Sequence, residues 1–143
     1  MSNNFNLQVK LLLYKLNYKL LLFKYNSVNY IIMEIRDNTI INGKGLYSIQ
    51  AYKKGEIVFT LSGEIFDKPS RETIHIGNNK HIYDSFGIFI NHSFTPSVYI
   101  DNVNVIALHD ISIDTEITFN YNTSEINMAS PFYVDNKIVS GKT

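Results

Sequence analysis

The sequence predicts a mostly β domain built of many short strands, and three observations predict it. Short runs rich in Ile, Val, Phe and Thr recur along the chain. Turns carrying Gly, Asn, Asp or Pro separate these runs at close intervals. No stretch within 34–125 holds a helical period for three turns.

In chain order, Glu34 to Ile41 reads as a strand closed by the glycine turn Asn42-Gly43-Lys44-Gly45. Leu46 to Ala51 follows, then a turn at Lys53-Lys54-Gly55-Glu56. Ile57 to Leu61 is a strand stopped by Ser62-Gly63. Pro69-Ser70 marks a further turn, and Gly77-Asn78-Asn79 splits a hairpin of Thr73–Ile76 and Lys80–Tyr83. Ile88 to Ile90 reads as a short buried strand, and Pro96 forbids a helix continuing from it. Val98–Asp101 and Val103–Leu108 pair around Asp101-Asn102. Ile113-Asp114-Thr115 turns the chain into the last strand, Glu116 to Tyr121.

At 143 residues, with 45% hydrophobic and 18% charged residues, the chain is a globular sequence with one modest core. Its formal net charge is zero, so nothing electrostatic argues for nucleic acid, and direct nucleic-acid binding is not expected. Cysteine is absent, which excludes disulfides, cysteine–zinc sites and thiol nucleophiles. Residues 1–32 form a distinct N-terminal extension. Its apolar run Leu11–Phe23 is interrupted by Lys15 and Lys19, too short and too charged for the ~20 apolar residues of a membrane span. It also lacks the cleavage site of a signal peptide. Three readings stay open: a segment upstream of a natural start at Met33, an interfacial or partner-binding helix with Lys15, Lys19 and Lys24 on one face, or a packed helix. The domain itself spans 33–125, and 126–143 is a C-terminal tail.

The centre of the chain is Gly87-Ile88-Phe89-Ile90-Asn91-His92-Ser93-Phe94-Thr95-Pro96. Taken alone, Asn91-His92-Ser93 can equally be a hydrogen-bonded corner. Its company decides the matter. Gly43-Lys44-Gly45-Leu46 precedes it, Leu61-Ser62-Gly63-Glu64 and Asp84 lie between, and Glu116-Ile117-Thr118-Phe119-Asn120-Tyr121 follows. In this order, across residues 34–125, these motifs resemble the signature of SET-domain protein lysine methyltransferases. The resemblance implies small curved, β-clip-like sheets with the C-terminal segment threaded into a pseudoknot, an exception to the usual avoidance of threading.

The resemblance also implies methyl transfer from S-adenosyl-L-methionine to the side-chain amine of a lysine in a protein or peptide, a histone among the candidates, without a metal. Tyr121 is then the catalytic residue. Lys44, Gly45 and Leu46 meet the cofactor through the backbone, where glycine permits close approach. Asn91 and His92 hold its amino-acid end and adenine. Phe119 lines the lysine channel, and a Phe there leaves room for di- or trimethylation. Glu116 and Asp84 read as structural. The other histidines (His75, His81, His109) show no ligand spacing with His92, so no metal site is expected.

The chain departs from the family pattern at several places. Ile88 stands where Arg is usual, Phe94 where Cys is common, Ser97 where Asn follows the proline, Leu61 where Tyr is frequent and Asn120 where Asp is frequent. Many members close the lysine channel with a cysteine–zinc cluster. Here Phe132 and Tyr133 are the candidates for an aromatic lid, the alternative being a frayed tail. The rival function is a catalytically weak SET domain serving as a peptide-binding or scaffold module. A homodimer is left open, and the expected location is intracellular, in cytoplasm or nucleus.

Overall fold

The computed structural model describes residues 19–25, 29–38 and 43–142, with side chains from Met33 onward. Within these residues, thirteen strands form four small sheets. The largest is built from β1 (Lys19–Tyr25), β2 (Asn29–Asn38), β3 (Gly43–Ser48), β8 (Asn91–His92) and β11 (Glu116–Phe119), in the order β1-β2-β3-β11-β8. β11 arrives late in the chain, pairs antiparallel with β3 and parallel with β8, and so sits between them. A second sheet has the order β4-β10-β9, from β4 (Ile57–Thr60), β9 (Val98–Asp101) and β10 (Asn104–Ala107). A third has the order β5-β7-β6, from β5 (Glu64–Phe66), β6 (Ile74–His75) and β7 (His81–Tyr83). The hairpin β12 (Phe132–Val134) and β13 (Lys137–Val139) closes the chain.

Side chains of Leu46, Ile117, Val58, Val98 and Val105 are wholly enclosed between these sheets. Burying each contributes about 1.5–3 kcal/mol. They also fix register: a one-residue slip of β11 along β3 would turn Ile117 out of the core and bring a polar neighbour in. Turn chemistry agrees with the pattern of the sequence. Gly77, Asn78 and Asn79 at the β6–β7 hairpin and Asn102 at the β9–β10 hairpin all adopt positive φ, which glycine and asparagine tolerate best.

Four expectations change. Lys19–Tyr25 is a strand paired with Asn29–Ile35, not a helix; an available strand partner outweighs weak helical propensity. Residues 11–18 lie outside those described. The strand expected from Glu34 begins at Asn29. Gly43-Lys44-Gly45 is strand, not turn, pairing with Asn38, Asp37 and Arg36. The apolar Gly87–Phe89 is a 3-10 turn and not a strand, because the Asp84 carboxylate folds it back, accepting hydrogen bonds from the backbone N–H groups of Phe86 (2.8 Å) and Gly87 (2.7 Å). Its other oxygen accepts from the Ser62 N–H at 2.7 Å. Gly63, beside it, packs so closely on β7 that a Cβ would overlap the Tyr83 carbonyl oxygen.

Candidate active site

Three motifs far apart in sequence become neighbours in the largest sheet. Asn91 and His92 on β8 pair with Thr118 and Phe119 on β11, whose other edge pairs Glu116 and Ile117 with Tyr47 and Leu46 on β3. Ser97 pins the crossing from the far side. Its hydroxyl donates to the Glu116 carbonyl (3.1 Å) and accepts from the Thr118 N–H (2.9 Å).

Tyr121 ends this motif differently from expectation. It opens a four-residue helix, α1 (Tyr121–Ser124), rather than extending β11. Asn120 caps the helix by accepting from the Asn122 N–H at 3.0 Å. The turn swings the Tyr121 ring inward, to 4.5 Å from Phe119, 5.3 Å from His92 and 6.1 Å from Phe132, between ring centres. Its hydroxyl donates to the Ile90 carbonyl at 2.7 Å, which leaves the oxygen's lone pairs facing elsewhere. Burial, then the charges of Glu125 and Glu116, push the phenol far above its ordinary range. A phenol shifted in that direction stays neutral across the physiological range.

His92 is keyed to the same residue. Its Nδ1 accepts the Tyr121 backbone N–H at 3.1 Å, so the ring proton sits on Nε2, which is buried with no partner among the described residues. Phe94 at 4.5 Å and Phe132 at 6.1 Å flank the imidazole edge-on. Burial depresses its pKa, and an acceptor role at Nδ1 requires the neutral ring.

On the β3 side, Asn91 donates from Nδ2 to the Lys44 carbonyl (2.9 Å) and to Glu116 Oε1 (2.8 Å). The Glu116 carboxylate also accepts from Asn38 Nδ2 at 3.0 Å. Gly45 makes room for this pair, since a Cβ there would lie 2.6 Å from Glu116 Oε1 and 3.2 Å from Asn91 Nδ2. The glycine is needed for space, not for a turn. Lys44 itself is exposed and pairs with Asp37 (2.8 Å), while the Leu46 side chain belongs to the core.

The structure thus gathers Tyr121, Phe119, Phe132, His92, Asn91 and the Lys44–Gly45 backbone around β8, β11 and α1. Tyr133 stands apart, 72% exposed on the outer side of the hairpin. The tail is not frayed. Asn122, which no sequence motif singles out, donates to the Ile138 carbonyl and accepts from the N–H groups of Ser140 and Gly141, each at 3.0 Å. This grip holds β12–β13 against α1. A second missed cluster lies behind α1. Glu125, 6% exposed, accepts the His75 N–H at 3.1 Å, and the His75 Nδ1 bonds the Ser124 carbonyl at 3.0 Å. Burial raises the Glu125 carboxyl to about 7.

A family model for the SET domain matches residues 43–122, from the start of β3 to one residue past Tyr121. A histone-lysine N-methyltransferase of Candida albicans, specific for H3 lysine 36, is 29% identical over 137 residues, covering 73% of this chain. The match covers only 16% of that relative's own length. Among solved structures, a Plasmodium falciparum protein assigned as a histone methyltransferase aligns with a TM-score of 0.51 and 25% identity, over 62% of this chain and 91% of that one. A humanized mutant of the Chaetomium thermophilum Polycomb Repressive Complex 2, bound to an inhibitor, aligns with a TM-score of 0.50 over 61% of this chain and 14% of that one. At 18% identity that likeness shows the fold alone.

Proposed function

The chain belongs to the SET-domain family, and from that premise we propose that it is a protein-lysine N-methyltransferase using S-adenosylmethionine. The observation that carries the proposal is the convergence of Tyr121, His92, Asn91 and Gly45, drawn from three separate motifs, on the β3–β11–β8 edge. The residues fit such a cofactor. Asn91 Oδ1 has no partner among the described residues, and Gly45 keeps the adjoining backbone approachable.

S-adenosylmethionine supplies a methyl group on a sulfonium. Asn91, His92 and the Lys44–Gly45 backbone would hold the cofactor, its sulfonium methyl serving as the electrophile for a neutral lysine amine. The chain's task is to align the amine and keep water away. Phe119, Tyr121 and Phe132 form an aromatic wall that disfavours the charged amine and so helps deprotonate it. Tyr121, its hydrogen spent on Ile90, offers oxygen lone pairs to the amine N–H and a partial negative charge to the cationic methyl. Phe119 in place of a second hydroxylated ring leaves space for an amine already carrying methyl groups.

The substrate is a lysine presented by a protein, with histones the first to try, since the similar proteins include named histone methyltransferases. A nuclear or cytoplasmic place goes with that substrate. No helix among the described residues is long and apolar enough to cross a membrane. The test is transfer of labelled methyl from S-adenosylmethionine to histones and to a cell lysate, comparing wild type with Tyr121→Phe. A labelled band that falls about 100-fold in the variant supports the proposal. Cofactor binding with no transfer to any protein would instead indicate a binding module, and absence of cofactor binding would sink the reading.

A further inference from the structure

We propose that Glu116 is a positioning residue that turns the Asn91 amide so that the cofactor pocket selects for a primary ammonium. The inference rests on reading this edge as the cofactor site and extends it to a residue that touches no ligand.

The argument begins with what an amide can do. Asn91 carries two donors on Nδ2 and one acceptor oxygen. Both donors are taken, by the Lys44 carbonyl at 2.9 Å and by Glu116 Oε1 at 2.8 Å. Each of these partners accepts only, so the amide cannot flip without setting its oxygen against two other oxygens. Oδ1 is thereby held on the opposite side, and it has no partner among the described residues. A fixed, unpartnered carbonyl oxygen suits a donor, and a cationic donor best. The amino-acid end of S-adenosylmethionine carries both an ammonium and a carboxylate. Only the ammonium can meet Oδ1 favourably.

Glu116 is well suited to this fixing role. It stands on β11 two residues before Thr118, the register partner of Asn91, so Glu116 and Thr118 share a face of the strand. Its carboxylate is in turn fixed by Asn38 Nδ2 at 3.0 Å. Gly45 is the matching accommodation on β3: a Cβ there would lie 2.6 Å from Glu116 Oε1, so the carboxylate would have to shift from its present position. Strands β2, β3, β8 and β11 each contribute one part to a single orientation.

The experiment is calorimetric binding of S-adenosylhomocysteine and of its deamino analogue, which keeps the carboxylate and lacks the ammonium. Wild type is expected to prefer S-adenosylhomocysteine by about tenfold. Glu116→Ala should abolish that preference by weakening S-adenosylhomocysteine alone. Glu116→Gln, whose amide oxygen can still accept from Asn91, should retain most of it. Asn91→Ser, which removes Oδ1 itself, should also lose the preference and checks that this oxygen is what the ammonium meets, while Glu116→Gln carries the test of orientation if the alanine variant does not fold. Equal weakening of both ligands in Glu116→Ala would mean a structural role only and would overturn the proposal. Loss in Glu116→Gln as large as in Glu116→Ala would mean that charge, not orientation, matters, and would overturn it too. Wild type binding neither ligand would refute the cofactor site itself, a different failure from a bound pair of ligands that the variants do not separate.

Discussion

Replacing Asp84 by Asn tests whether one buried carboxylate holds the approach to the site. Asp84 is 2% exposed and accepts three backbone N–H groups, those of Ser62, Phe86 and Gly87, at 2.7–2.8 Å. The amide of Asp84→Asn keeps one acceptor oxygen, which can still serve Phe86 and Gly87. Its NH2 then faces the Ser62 N–H, donor against donor. Losing one hydrogen bond to a charged acceptor costs about 1.5–3 kcal/mol. The remaining two lose charge assistance, roughly half their strength. The sum is about 3–6 kcal/mol, a large part of the stability of a domain this size, and a fall in Tm of about 10 °C or more. Urea unfolding followed by far-UV circular dichroism measures it, and an unchanged m-value would show that the unfolded state is the same. Because Asp84 starts the 3-10 turn that delivers Asn91, cofactor affinity should fall as well. A loss below about 1 kcal/mol would refute the reasoning, since water or a neighbour would then be satisfying those N–H groups.

Two further predictions concern pH. His92→Asn, whose Oδ1 stands in for Nδ1, should keep the bond to the Tyr121 N–H, whereas His92→Leu should lose about 1–3 kcal/mol. Burial lowers the folded imidazole pKa, so its contribution is whole above about 6.5 and falls as pH drops below that, where the unfolded chain takes up the proton first; His92→Asn should remove this component from the difference between unfolding at pH 5.5 and 7.5. Glu125 has the opposite sign. With its carboxyl raised to about 7 by burial, stability is whole below the ordinary glutamate pKa and is lost as pH rises through 7. Glu125→Gln, which can still accept the His75 N–H, should therefore gain up to about 3 kcal/mol over wild type at pH 8 and little at pH 5, measured by the same unfolding curves; equal effects at both pH values would exclude ionisation of Glu125 as the cause.

The strands were legible where local chemistry decides them. Ile57–Thr60 and the hairpins turning at Gly77-Asn78-Asn79 and Asn102 combine β-branched runs with residues that accept positive φ. The failures are long-range. Ile88-Phe89-Ile90 looks like a strand because a short apolar run fits either state, and the deciding carboxylate of Asp84 acts through the backbone. Gly45 looks like a turn residue, yet its requirement is space for Glu116, 71 positions later in the chain. The motif residues Asn91, His92, Phe119 and Tyr121 could be named from their order. Their convergence required the β8–β11 and β3–β11 pairings, which no local pattern encodes. Asn122 and Glu125 escaped notice because each works by hydrogen-bonding main-chain atoms, and such service leaves no sequence signature.

The Asn122 grip on Ile138, Ser140 and Gly141 makes the β12–β13 hairpin and α1 a single mechanical unit, with Val139 plugged into the interior as its peg. The strand that pairs with Phe132 is thereby tied to the helix that begins at Tyr121. In a chain without a single cysteine, this fastening is a matter of amide geometry, indifferent to thiol oxidants. Loosening it falls to heat, to denaturant or to a competing strand, and each of these would part the hairpin from α1.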